Sequence, residues 1–140
     1  MLTWEQWLEK SESSLEASRI LLENRKPIEA ASRAYYAAYQ IVTGVLIKLK
    51  LSPRSEFGNW SHHETQEMYR THICQKADLG YKEKQALKNL LLEFRHLLET
   101  RYLADYGETT KIDLPLAKSH WRDANKLVSL LNRFIKRGLL

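Results

Sequence analysis

Residues 27–50 read PIEAASRAYYAAYQIVTGVLIKLK, and this stretch decides the fold. Its positions Ile28, Ala31, Tyr35, Ala38, Val42, Val45 and Leu49 alternate at spacings of three and four. An α-helix has 3.6 residues per turn, so that set forms one continuous buried seam. A second line, Ala30, Ala34, Ala37, Ile41 and Gly44, runs beside it. Small side chains there let another helix approach closely. A helix that is apolar on two sides belongs at the centre of a bundle. Pro27 suits its first turn, where no N–H partner is lost.

Working outward, Thr3 and Gln6 have capping-box spacing and open a helix that carries Trp4, Leu8, Leu15 and Leu22 on one stripe. Asn24 to Lys26 ends it. Ser52 to Trp60, with Pro53 and Gly58, reads as a loop. Ser61 and Glu64 repeat the capping-box spacing and start a short helix to about Ile73. A fourth helix follows Gly80, carries Leu87, Leu90, Leu91, Phe94, Leu97 and Leu98, and runs to Tyr106 before Gly107. Asp113 caps a fifth, with Pro115 in its first turn and Trp121, Ala124, Val128, Leu131 and Ile135 facing inward. The expected architecture is all-α: an up-and-down bundle of four long helices plus a short one, a single domain over residues 1–140. The two apolar sides of the second helix exceed what one small bundle readily hides, which predicts a symmetric homodimer.

Composition narrows the function classes. The longest apolar stretch, Ile41 to Leu51, is too short for a bilayer and is broken by Lys48 and Lys50, so no membrane role is expected. The start, MLTWEQWLEK, is acidic and amphipathic and lacks the features of a signal peptide. Cys74 is the only cysteine, which rules out a disulfide framework and fits a reducing cytoplasm. The net charge of +5 suits a polyanionic partner such as RNA, although the excess is spread along the chain.

Two constellations carry chemistry. On the fourth helix the stripe through Leu87 and Phe94 arrives at Arg101, with Asp105 four residues on. Arginine and aspartate at that spacing pair, and a charge on an apolar stripe is either structural or functional. The functional reading is a guanidinium held for phosphate, with Asp105 fixing its angle. On the second helix, Arg33, Tyr36 and Gln40 share a face, where an arginine beside an aromatic can hold a base and a phosphate. His62, His63 and Glu64 read as a solvated helix start; His63 and Glu67 have metal-ligand spacing but no third ligand. His96 and His120 read as surface positions, and no metal site or cofactor is implied. The cations Lys118, Arg122, Lys126, Arg133, Lys136 and Arg137 on the last helix form a solvated face.

SRAYYAAY at residues 32–39 and RYLADY at residues 101–106, in that order, resemble the bacterial and archaeal HEPN proteins, in particular a branch with SRAYYA and R-x-x-A-D-Y motifs. The resemblance runs from about Trp4 to about Arg137. It implies a dimeric helical bundle that binds RNA or a nucleotide, often within a toxin–antitoxin pair whose partner is a minimal nucleotidyltransferase. Active members carry an arginine followed after four to six residues by a histidine. No arginine here has a histidine at that spacing: seven residues separate Arg54 from His62, and Thr100 occupies the histidine's place in the frame. Threonine cannot shuttle a proton at neutral pH. The resemblance therefore implies binding through Arg33, Tyr36, Arg95, Arg101 and Tyr106 without efficient cleavage. Arg101 and Asp105 are the candidates for any catalysis. A metal-independent endoribonuclease toxin and a pure interaction module are the alternatives.

Overall fold

Thr3 caps the first helix as its spacing predicts: Thr3 Oγ1 accepts from the Gln6 N–H at 3.2 Å, and Gln6 Oε1 accepts from the Thr3 N–H at 2.9 Å. The computed structural model describes residues 1–108 and 111–140. In it α1 spans Trp4–Glu23 and α2 spans Pro27–Lys48. Both helices end on a cation in the left-handed region, Arg25 at φ 57° and Lys50 at φ 67°. In each, the next N–H reaches back to an orphan carbonyl, Lys26 to Leu21 and Leu51 to Leu46.

The close approach of α1 and α2 was legible on α2 and not on α1. Gly44 sits where a Cβ would come within 2.6 Å of Leu8 Cδ1 and 3.1 Å of the Trp4 carbonyl oxygen. On α1 the deepest face is Trp7, Ser11, Ser14 and Ser18, while the expected stripe of Trp4, Leu8, Leu15 and Leu22 is only partly buried. Ser11 Oγ donates to the Ala37 carbonyl at 2.6 Å and Ser18 Oγ to the Ala30 carbonyl at 2.7 Å. The serines are small enough for the approach, and the carbonyls of α2 satisfy their hydroxyls.

Ser61 Oγ accepts from the Glu64 N–H and opens α3 (His62–Met68), which widens into a π turn over Tyr69–Ile73. The single fourth helix expected after Gly80 is two: α4 (Tyr81–Lys88) and α5 (Leu91–Tyr106). Between them Leu90 takes φ −100°, ψ 1° and bonds back to Leu87, tightening the chain at Asn89, a residue whose side chain competes with helix backbone. Asp113 Oδ1 accepts from the Leu116 N–H at 2.9 Å and starts α6 (Leu114–Lys136). The fold is an all-helical bundle, with no strand among the described residues. No helix among them is long and apolar enough to cross a membrane.

α2 is the centre. From Ala30 to Leu46 its apolar residues are buried against α1, α5 and α6 within one chain, except Tyr36, which is only partly buried. Both faces that were expected to require a second copy are thus covered by the chain itself. The surface placement of His120 is likewise overturned. His120 is 5% exposed, and its Nε2 lies 2.7 Å from Thr100 Oγ1 between α5 and α6.

Candidate functional site

The helices converge on one end of α2, where three elements supply a cluster of rings around an ion pair. Ser32, Arg33, Tyr35, Tyr36 and Tyr39 come from α2. His62 comes from the first position of α3, and Arg101, Tyr102, Asp105 and Tyr106 from the last turns of α5. α5 reaches the cluster because Phe94, Leu97 and Leu98 bury its apolar stripe, and the same stripe carries Arg101 inward two turns later.

Arg101 is 7% exposed. Its Nη2 donates to Tyr36 Oη at 2.9 Å, and its Nε lies 2.8 Å from Asp105 Oδ2. The carboxylate sits off the Nε–H direction, so that N–H makes no hydrogen bond despite the short contact. Burial opposes the charge, but Tyr36, Asp105 and Tyr106 more than offset it and hold the guanidinium cationic. Arg101 Cζ lies 5.4, 5.3 and 5.7 Å from the ring centres of Tyr36, Tyr102 and Tyr106. Tyr106 is 77% exposed, so the guanidinium is covered in part by a side chain standing in solvent and not by the core.

Arg33 extends the positive charge. Its Cζ lies 4.6 Å from the Tyr36 ring centre, so two guanidinium groups share that ring. Arg33 and Asp105 also line one cleft of about 400 Å³, and Ser32 Oγ lies 3.4 Å from Asp105 Oδ1. Arg33, Tyr36, Arg101, Asp105 and Tyr106 are therefore neighbours. Arg95 is elsewhere: it points into a groove of about 650 Å³ between α3 and α5, beside Leu91, Gln66, Arg70 and Tyr102, and lies 3.3 Å from Glu99. Tyr102 is the residue that the groove and the cluster share.

His62 is the residue that sequence spacing missed. It is half-buried, whereas His63 and Glu64 are exposed, as a solvated helix start predicts. Its Nδ1 lies 2.6 Å from Tyr35 Oη, and its ring packs against Tyr35, Tyr36 and Tyr39 at 5.4, 6.2 and 5.0 Å. The preceding loop is pinned by Tyr39, which donates to the Trp60 carbonyl at 2.6 Å and accepts from Asn59 Nδ2 at 2.8 Å. Burial, then the charges of Arg101 and His63, push the His62 imidazole below its ordinary pKa, against an opposing pull from Asp105. The signal was present only in three dimensions: a histidine from α3 beside an arginine from α5, with no fixed spacing in the chain. Thr100, at the histidine's place in the motif frame, faces α6 instead and holds His120.

Among the described residues no three His, Cys, Asp or Glu side chains gather in a way that could hold a metal ion. The chemistry this cluster can do is electrostatic: two guanidinium groups and exposed phenol rings around one carboxylate can receive phosphate oxygens and stack a base. A family model described as HEPN domain matches residues 4–137. No curated protein matches the chain.

Proposed function

This chain belongs to the HEPN domain family, and we propose from that membership that its Arg101 cluster seats the phosphates of single-stranded RNA or of a nucleotide. The observation that carries the reading is Arg101 itself. A charge on an apolar stripe is kept cationic behind solvent-exposed rings, with a carboxylate partner that does not occupy its Nε–H. An entering phosphate accepts from the Nη N–H groups of Arg101, Arg33 contacts the next phosphate, and Tyr102 or Tyr106 stacks a base.

The module acts as a homodimer in this proposal, through the exposed strip Leu92, Leu103 and Tyr106 on α5, since α2 has no apolar face to spare. A minimal nucleotidyltransferase is the proposed partner protein, in a toxin–antitoxin setting. A second reading, metal-independent RNA cleavage, is favoured by one observation: His62 places a titratable group near Arg101. Incubation with RNA in a chelator separates the two, because cleavage that is lost on His62→Gln belongs only to the second.

The binding reading is tested by titrating a fluorescent single-stranded RNA at several salt concentrations. Engagement of two or three phosphates gives a slope of log K against log salt near −1.5 to −2, by the roughly −0.7 per phosphate of single strands. Arg101→Ala and Arg33→Ala each weaken binding about tenfold, in line with the loss of one charge-assisted contact of about 1.5 kcal/mol. Unchanged binding in both variants overturns the assignment, and absence of binding at low salt leaves a protein-interaction module.

A further inference from the structure

His62 is fixed on one side and open on the other. Tyr35 is fully buried, and its hydroxyl has no partner besides His62 Nδ1. One of these two groups donates to the other, and His62 Nε2 is left outside that bond. That Nε2 makes no hydrogen bond and is not enclosed, unlike Nδ1 of His120, which is buried without a partner. Packing against Tyr36 and Tyr39 keeps the ring from turning away. A half-buried imidazole with one free nitrogen, sharing the Tyr36 side chain with Arg101, is placed to donate.

The charged and titratable groups around it come from three elements. α2 supplies Tyr35, Tyr36 and Tyr39; α3 supplies His63; α5 supplies Arg101 and Asp105. Arg101 and His63 work against a second cation and Asp105 works for one, with burial adding to the opposition. In the free protein the ring is neutral near pH 7. A phosphate arriving at Arg101 adds negative charge to this set and reverses the balance.

We propose that His62 is a further cation of the Arg101 site, beside Arg33, present only when a phosphodiester is bound, so that binding takes up one proton from water. The inference rests on the phosphate reading of the site. The imidazolium carries hydrogen on both ring nitrogens: Nδ1–H donates to Tyr35 Oη, and Nε2–H donates to a phosphate oxygen. No covalent bond between heavy atoms forms or breaks. A phosphodiester does not titrate near neutrality, so the imidazole is the source of the pH dependence. Affinity then climbs as pH falls, approaching tenfold per pH unit between the free and the bound pKa of His62.

The test uses a short 2′-O-methyl oligoribonucleotide without terminal phosphates, which cannot be cleaved through its 2′ oxygen. Its affinity is measured by fluorescence anisotropy at constant ionic strength from about pH 5 to about pH 8. Wild type gains at least about threefold per pH unit on the acid side. His62→Gln loses that slope, while His63→Gln keeps it. Arg101→Ala is weak at every pH. Wild-type affinity in Arg101→Ala removes the phosphate reading altogether. Weak binding in Arg101→Ala together with a full slope in His62→Gln removes this inference alone. Should His62→Gln fail to fold, the His62 imidazole resonance of the wild type decides: its titration midpoint rises when the oligonucleotide is added, and an unchanged midpoint overturns the proposal.

Discussion

Replacing Arg101 by alanine should destabilise the fold far more than removing an arginine from the surface. Three losses contribute. The charged hydrogen bond from Nη2 to Tyr36 Oη is of a kind contributing about 1.5–3 kcal/mol. The contact with Asp105 is discounted to under about 1 kcal/mol, because the aspartate side chain keeps 30% exposure and rehydrates. The ring contacts add about 0.5 kcal/mol each at exposed sites, and these terms overlap. A net loss of about 2–3 kcal/mol follows, or roughly 6–12 °C in Tm for a chain of this length. Arg137→Ala is the control. Arg137 is 54% exposed in its side chain and 3.6 Å from Glu83, a surface pair contributing about 1 kcal/mol at most. The double variant Arg101→Met, Asp105→Leu fills the space without leaving a lone charge, and should recover to within about 1 kcal/mol of wild type. Thermal unfolding followed by circular dichroism reads all three. Equal Tm values for Arg101→Ala and Arg137→Ala refute the contribution of the Arg101 contacts; a double variant no better than Arg101→Ala refutes the refilling of its space as the source of recovery.

Acid should weaken the fold through two histidines. Burial lowers the pKa of both His62 and His120 in the folded state, so the unfolded chain binds protons more readily; their stability is intact above about pH 6.5 and is lost progressively as pH falls below it. Asp123, raised chiefly by burial, works in the opposite sense at lower pH. Urea midpoints taken between about pH 7 and 5 should fall, and fall less in His120→Leu; a flat profile sinks this account. Gly44→Val should cost about 2 kcal/mol or more, since even a Cβ meets Leu8 and the Trp4 backbone, and an unchanged melting temperature would show that α1 can retreat freely.

The parts of the fold that one helix determines alone were legible. The Thr3 and Asp113 caps, the centrality of α2 and the tight line through Gly44 all follow from local spacing. What failed depended on a partner's surface. Ser11, Ser14 and Ser18 look polar in sequence and are buried because α2 offers carbonyls and Gln40 to them. His120 looks exposed beside a run of cations and is buried because Thr100 meets it. The expectation of a homodimer drew on α2 alone, and α1, α5 and α6 cover the surface from Ala30 to Leu46 on which it drew. At the site, the Arg101–Asp105 pair lies within one helical turn and was visible, while His62 depends on where a loop pinned by Tyr39 delivers α3.

α5 explains why the site and the outer surface belong together. One flank, Phe94, Leu97 and Leu98, packs on the core, and its continuation is Arg101 and Asp105. A second flank carries Thr100 toward α6. The remaining arc shows Leu92, Tyr102, Leu103 and Tyr106 to solvent. A helix that served only the core would have no use for large apolar residues on that arc, and each one exposed to water weakens solubility. Tyr102 and Tyr106 also cover Arg101. Any body that docks on this arc therefore touches the rings that cover the guanidinium, and by reciprocity a ligand that moved those rings would change the docking surface. On the proposals above, occupancy of the Arg101 site and association through α5 would engage the same side chains.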